Sequence, residues 1–315
     1  MKLDGNIDNP LVSVIVPNYC HSKYLDERIQ SILNQTYYNF ELIILDDCSP
    51  DDGASKAVIE RYRGNAHVSH IIYNEHNSGL TFQQWHKGIE LARGNLIWIA
   101  ESDDKCHHQM LAILVEEFKK NSKCVLAFSK SLLFNDNDII EDKDITLTHI
   151  LHYSGTDFIN KYMSFGNYVQ NASSALFRKD VVLNIDQSYV SYKGAGDRLF
   201  WILISEFGDV AILTEQLNYF RQHQDNSTKK YFYLGINQKE DKSIIDYLYG
   251  RKYISTFKYK LRSIQYVYLW IFKEEILNNN LRANLFDLWL PTFVDKILFG
   301  IYRFSLFLRK RIRLL

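Results

Sequence analysis

The sequence predicts an α/β protein: a mixed, mostly parallel sheet with helices on both faces, followed by a helical C-terminal extension. Three observations predict it. Strand-like and helix-like patterns alternate through the first hundred residues, as in successive βαβ units. Three of the strand-like runs end in polar or acidic clusters. After Thr228 the strand signals stop, and the chain to Leu315 is rich in Tyr, Leu, Lys and Arg with helical spacing.

In chain order, LVSVIVP (11–17) is a β-branched run stopped by proline. YLDERIQSILNQ (24–35) places Leu25, Ile29, Ile32 and Leu33 on one helical face. FELIILDD (40–47) is a second strand, and residues 51–64 are a helix opened by acids and closed by Gly64. HVSHIIYN (67–74) is a third strand and residues 80–94 a third helix, closed by Gly94. NLIWIAESDD (95–104) is a fourth strand, short, apolar and therefore buried. Next come a helix (109–121), a strand (124–134), a polar loop (135–144), and strands at 173–179 and 209–223 flanking a helix at 197–208. Residues 1–228 form one domain with halves at about 10–105 and 106–228, and residues 229–315 form the extension.

Of 315 residues, 46% are apolar, enough for a substantial core. Thirty-seven Lys and Arg balance 37 Asp and Glu. The absence of a basic field argues against nucleic acid as a partner. Cys20, Cys48, Cys106 and Cys124 form no CxxC pair, so a reducing cytoplasm fits better than a disulfide framework. The polar start MKLDGNIDNP is not a signal peptide, and no apolar run approaches the roughly 20 residues of a spanning helix. The expected location is cytoplasmic, at most peripheral on the inner face of the membrane.

The stretch LIWIAESDDK (96–105) raises the chemical question, because a buried strand runs into Glu101, Asp103 and Asp104. Like charges so close raise one another's pKa, and a counter-charge must make them tolerable. Ligands of open parallel sheets bind beyond the carboxyl ends of the strands. PNYCHS, DDCSPDD and ESDDK follow three such ends, gathering Tyr19, Asp46, Asp47, Asp103 and Asp104 at one edge. A divalent metal bridging a diphosphate to Asp103 and Asp104 supplies the missing charge most simply, and Mn2+ or Mg2+ suits oxygen ligands.

Residues 12–52, together with NEHNSGLTFQQWHKGIELARGNLIWIAESDD, GAGDRLFW and LNYFRQHQDNS, resemble the family-2 glycosyltransferases, which invert the anomeric centre on a GT-A (Rossmann-like) fold. The resemblance covers about Leu11 to Ser227 and makes residues 1–228 the catalytic domain, with a nucleotide-sugar-binding half and an acceptor-side half. It implies that Pro17 and Tyr19 frame the base and ribose of a nucleoside-diphosphate sugar, a UDP-sugar being favoured, and that Asp47 hydrogen-bonds the base. Asp103 and Asp104 would share ribose contact and metal coordination, His223 would sit near the metal and diphosphate, and Asp197 would be the general base. The partners implied are that donor and a glycan or lipid-linked acceptor. Two departures stand out. The first acid of the DxD element is Glu101, and TFQQWHKG replaces the Arg-Asn pair that many relatives carry in the third helix, leaving Gln84, Trp85 or Lys87 to substitute.

Such chemistry requires a carboxylate within reach of the acceptor hydroxyl and a cation on the leaving diphosphate. An inactive sugar-nucleotide-binding relative and a nucleotidyltransferase are the alternatives. The latter usually shows a Gly-rich basic loop, which PNYCHSKY is not. No GxGxxG follows the first strand to support hydride transfer. Cys106-His107-His108 has poor zinc spacing, NASS (171–174) is a glycosylation pattern without meaning in the cytoplasm, and Trp85 and Trp201 are candidates to line a sugar site. In the tail, Phe293, Ile297, Ile301, Phe304 and Leu308 share a helical stripe. Lys296, Arg303 and Lys310 share another, followed by Arg309, Arg311 and Arg313, which is the pattern of a helix lying on an anionic membrane surface.

Overall fold

The computed structural model describes residues 8–138, 140, 143–145, 149–223, 227–273 and 277–312, excepting the side chains of 227–229 and 308–312. Parts of the expected polar loop at 135–144 lie outside these. The chain divides into two compact units, one of residues 1–192 and 196–225, the other of residues 193–195 and 226–315.

The first unit opens with β1 (Val12–Asn18), α1 (Ser22–Leu33), β2 (Phe40–Asp46), α2 (Ala54–Glu60), β3 (Val68–Tyr73), α3 (Thr81–Leu91) and β4 (Leu96–Ile99). It continues through β5 (Lys105–Cys106), α4 (Met110–Lys120), β6 (Cys124–Phe134), β7 (Ile150–Ser154), α5 (Gly155–Phe158), β8 (Ala175–Arg178), α6 (Lys179–Val182), α7 (Gly196–Ser205) and β9 (Asp209–Arg221). The strands form one nine-stranded sheet ordered β3-β2-β1-β4-β8-β6-β9-β5, with β7 also pairing β9. The β3-β2-β1-β4 half is parallel throughout, β8 lies antiparallel between β4 and β6, and β6 and β9 are parallel.

Alternation along β1 builds both layers. Val12, Val14 and Val16 join Leu25, Ile29 and Ile32 of α1 and Met110, Leu111 and Leu114 of α4 in one core. Ile15 points to the other face and meets Gly88 of α3, where an added Cβ would come within 2.4 Å of Ile15 Cγ2. Glycine therefore lets α3 lie directly on the strand. Trp85 of α3 packs edge-on to Phe200 of α7, with ring centroids 5.7 Å apart. Trp85 and Trp201 are both buried, so these candidates for a sugar platform are core residues.

Strand order sets where the sheet's switch point falls. From β1 the chain runs outward to β2 and β3, then returns to β4 on β1's other side, so the carboxyl ends of β1 and β4 flank a topological switch point. The turn after β1 carries Tyr19 to His21, and the loop after β4 carries Glu101 to Asp104.

The second unit contains α8 (Ser227–Tyr233), α9 (Ile236–Gly250), α10 (Thr256–Tyr266), α11 (Asn279–Trp289) and α12 (Phe293–Ile312). Tyr266 stacks on Trp289 at 3.9 Å, and Trp289 Nε1 donates to the Gln238 carbonyl. Glu240 accepts from the backbone N–H groups of Lys193, Gly194 and Ala195, which places that short segment in this unit.

Candidate active site

Asp103 meets His223 at this edge, Oδ2 to Nε2 at 2.8 Å, although 120 residues separate them. His223 follows the end of β9. His21, in the turn after β1, completes a group whose potential ligand atoms all lie within 4.8 Å of one another. His21 Nδ1 sits 2.9 Å from Ser102 Oγ, and the two imidazoles meet edge to face at 5.6 Å. The turn carrying His21 is tightly wound, with Cys20 in the left-handed region at φ 58° and its N–H donating to Ser49 Oγ. Two imidazoles and one carboxylate are a fitting donor set for a divalent cation.

Asp104 points into the protein. Its Oδ2 accepts from Asn171 Nδ2 (2.9 Å) and Ser173 Oγ (2.7 Å), and its Oδ1 from the Arg221 N–H (3.0 Å). It stands outside the His21–Asp103–His223 group. Asn171, part of the glycosylation pattern, is thus a buried support for the acid loop. Glu101 accepts from the Trp85 indole at 2.8 Å, and its own N–H donates to Ser173 Oγ.

The counter-charge expected among these acids is partly built in. Arg221, at the end of β9, donates Nε to the Asp103 carbonyl and pairs with Glu27 and Asp136. Its guanidinium lies over Tyr24 and Phe134 at 4.6 and 4.4 Å. Arg28 of α1 is fully buried, stacks on Trp98 at 4.9 Å, and its charge opposes the protonation of Glu101 and Asp104. Even so, burial and then the Asp103 charge push Glu101 up to about 8 and Asp104 up to about 7. Burial opposes ionisation of Asp103 as well. The His223 hydrogen bond and the charges of His21 and His223 outweigh it and hold Asp103 below the usual range. Asp103 alone of the three acids is held below the usual carboxylate range, which makes it the acid best suited to a cation.

Pro17 is buried in β1, and Tyr19 just beyond it is 46% exposed. Asp47 is saturated. Asn74, Ser78 N–H and Gln84 donate to Oδ1, while Asn77, Ser78 N–H and Ser78 Oγ donate to Oδ2. A carboxylate has about four lone-pair sites, so a nucleotide base would replace one of these donors. Of the three α3 residues named in place of the Arg-Asn pair, Gln84 donates to Asp47, Trp85 to Glu101 and Lys87 to Asn74. Asp197 opens α7, half-buried, with Oδ2 accepting from Asn167 Nδ2 and Oδ1 from the Arg198 N–H, both at 2.7 Å. Cys106 and His107 are buried: Gln35 donates to the Cys106 sulfur and the His107 carbonyl, and the His107 ring meets the Lys143 carbonyl. His21, Arg28 and Arg221 were not singled out from sequence. Arg28 had a signal, since it falls at i+3 from Leu25 on the buried face of α1.

The family model for glycosyl transferase family 2 matches residues 13–185. The chain belongs to that family. That membership sets aside the nucleotidyltransferase reading. The chain is 32% identical over 144 residues to a putative teichuronic acid biosynthesis glycosyltransferase of Bacillus subtilis (strain 168), a match covering 46% of this chain and 56% of that one. It is 25% identical to a poly(ribitol-phosphate) β-N-acetylglucosaminyltransferase of Staphylococcus aureus (strain N315), covering 62% of this chain and 63% of the relative. These matches thus span less than two thirds of the relatives' lengths. Among solved structures, S. aureus TarS 1–349 in complex with UDP-GlcNAc superimposes with a TM-score of 0.58 at 16% identity, covering 89% of this chain and 71% of that one. A mannosyltransferase from Pyrobaculum calidifontis in complex with GDP-Man and Mn2+ gives 0.54 at 14% identity, covering 99% and 84%. At these identities the likeness is one of fold, and this family-2 member has the GT-A architecture expected from its sequence.

Proposed function

We propose that this family-2 member is an active glycosyltransferase that inverts the anomeric centre as it moves a sugar from a nucleoside-diphosphate sugar, a UDP-sugar in preference, to a hydroxyl of a glycan or lipid-linked saccharide. The observation that carries the reading is the Asp103–His223 pair at 2.8 Å, reached from β4 and β9 beside the switch point where an open sheet binds its ligand. Pro17 and Tyr19 frame the base and ribose, and Asp47 meets the base by exchanging one of its donors. Asp103 and His223 hold Mn2+ or Mg2+, while Asp104, itself proposed from sequence as a ligand, braces the loop from behind. A bound cation there would neutralise charge on the leaving diphosphate. Asp197 takes the acceptor's proton, its carboxylate oriented by Asn167 and the Arg198 N–H. The UDP-GlcNAc complex of TarS and the N-acetylglucosaminyltransferase relative support the donor class, and the Mn2+ complex of the mannosyltransferase supports the cation.

Asp197→Asn keeps the hydrogen-bonding shape and removes the base. It is expected to lower UDP release from a UDP-sugar with a saccharide acceptor by about 10²–10⁴-fold, while nucleotide binding by calorimetry stays within twofold. Undiminished turnover would overturn the assignment of the base.

We further propose that α12 rests on an anionic membrane surface, which would suit a lipid-linked acceptor at the cytoplasmic face. Phe293, Ile297, Ile301, Phe304 and Phe307 of this helix are all exposed, and vesicle flotation reads the contact directly. No helix among the described residues is long and apolar enough to cross a membrane.

A further inference from the structure

We propose that His21 is a third protein ligand of the cation site, so that His21, Asp103 and His223 together hold a transition-metal dication such as Mn2+ before any nucleotide arrives. The inference rests on the cation site of the proposed function and adds a residue from outside the acidic motif.

Three separate elements converge on one point: the turn after β1, the loop after β4 and the end of β9. Each offers one ligand atom, and the three lie within 4.8 Å of one another. Ligands held about 2.1 Å from a common cation stand about 3–4 Å apart, so an adjustment on the order of an ångström closes the shell. His21 is fixed from both sides. Its carbonyl accepts from the Tyr24 and Leu25 N–H groups at the start of α1, and its Nδ1 lies against Ser102 Oγ. An imidazole anchored through one nitrogen is the usual arrangement of a metal-ligating histidine, because the outer contact sets ring orientation. Ser102 is buried and immediately precedes Asp103, so one loop supplies the carboxylate ligand and steadies the second imidazole.

The donor chemistry selects the cation. Mg2+ prefers oxygen and keeps much of its water, whereas imidazoles suit first-row transition metals. A carboxylate with a single histidine leaves most of the shell to the diphosphate, so the cation would arrive with the nucleotide. Three protein ligands let it bind first.

Mn2+ uptake by the nucleotide-free full chain, followed by the EPR signal of free Mn2+ after removal of carried-over metal, tests this. The wild-type chain is expected to take up one Mn2+ that an equal concentration of Mg2+ does not displace. His21→Ala is expected to weaken that uptake at least about tenfold, and Ser102→Ala, which keeps the imidazole and removes its anchor, by an intermediate factor. Metal-free thermal melts matching wild type show that the variants fold. No uptake by the wild type without nucleotide, or undiminished uptake by both variants, would overturn the proposal. Asp103→Asn and His223→Ala separate the two levels. If they abolish uptake while His21→Ala does not, only the role of His21 fails. If they too leave uptake unchanged, the cation site of the proposed function fails with it.

Discussion

Glu101 opens the loop after the buried β4, where it accepts from the indole of Trp85, and burial together with the Asp103 charge raises its carboxyl from 4.5 to about 8. Between those values the folded chain holds a proton there that the unfolded chain releases. Stability at this group therefore falls as pH rises from about 4.5 through about 8, at up to roughly 1.4 kcal/mol for each pH unit. Glu101→Gln keeps an oxygen for the Trp85 N–H and removes the ionisation. In metal-free buffer it should raise Tm above pH 8 by several degrees and leave it unchanged near pH 4.5. A difference independent of pH would mean that Glu101 is not held protonated. Residues of this kind divide by how their role is written in the chain. Asp103, Asp197 and His223 stood out because each sits in a recurring short pattern. His21 and Arg221 gain their roles only from folding, which closes 81 residues between His21 and Ser102 and 118 between Arg221 and Asp103. Asp104 reads as a twin of Asp103 in sequence, yet the step to the next residue turns its side chain inward to Asn171 and Ser173.

Among the elements, long periodic ones were legible and those defined by a partner were not. β1, β2, β6 and α4 stand within a residue or two of the expected bounds, because apolar spacing alone specifies them. The two-residue β5 exists only by pairing Lys105 and Cys106 with Tyr219 and Asn218, and β7 by pairing with β9. The second helix, expected over 51–64, is confined to 54–60, since Asp52 and Gly53 are in the left-handed region at φ 52° and 83° and delay its start. The tail helix was legible as an amphipathic stripe, and Phe293, Ile301 and Phe304 are 77, 60 and 62% exposed. Of its expected basic stripe, Lys296 pairs with Asp287 and Arg303 lies 3.9 Å over Phe272. Leu308, Lys310, Arg309, Arg311 and Arg313 fall outside the described side chains. The full chain is expected to float with anionic vesicles and to lose at least tenfold in vesicle affinity on Ile301→Glu/Phe304→Glu, with the metal-free melt preserved. Equal flotation of both, or a wild-type chain wholly unbound, would remove α12 as a membrane contact.

For the whole molecule, alternation of strand and helix was sufficient to predict the parallel half of the sheet, and the observed strand order puts its switch point between the carboxyl ends of β1 and β4. Assignment of residues 193–195 to the second unit was not legible, since it depends on Glu240 collecting three backbone N–H groups. The central claim is that this edge binds a nucleoside diphosphate through a cation on Asp103 and His223. Thermal stability of the purified chain with UDP, GDP, TDP and CMP, each with and without Mn2+, tests it most directly. A ligand that binds only the folded chain stabilises it by about 2.7 kcal/mol at a hundred times its Kd. The account predicts that UDP with Mn2+ raises Tm clearly above Mn2+ alone, and that Asp103→Asn abolishes the increment. No increment with any of the four nucleotides, or one that Asp103→Asn leaves intact, would contradict it.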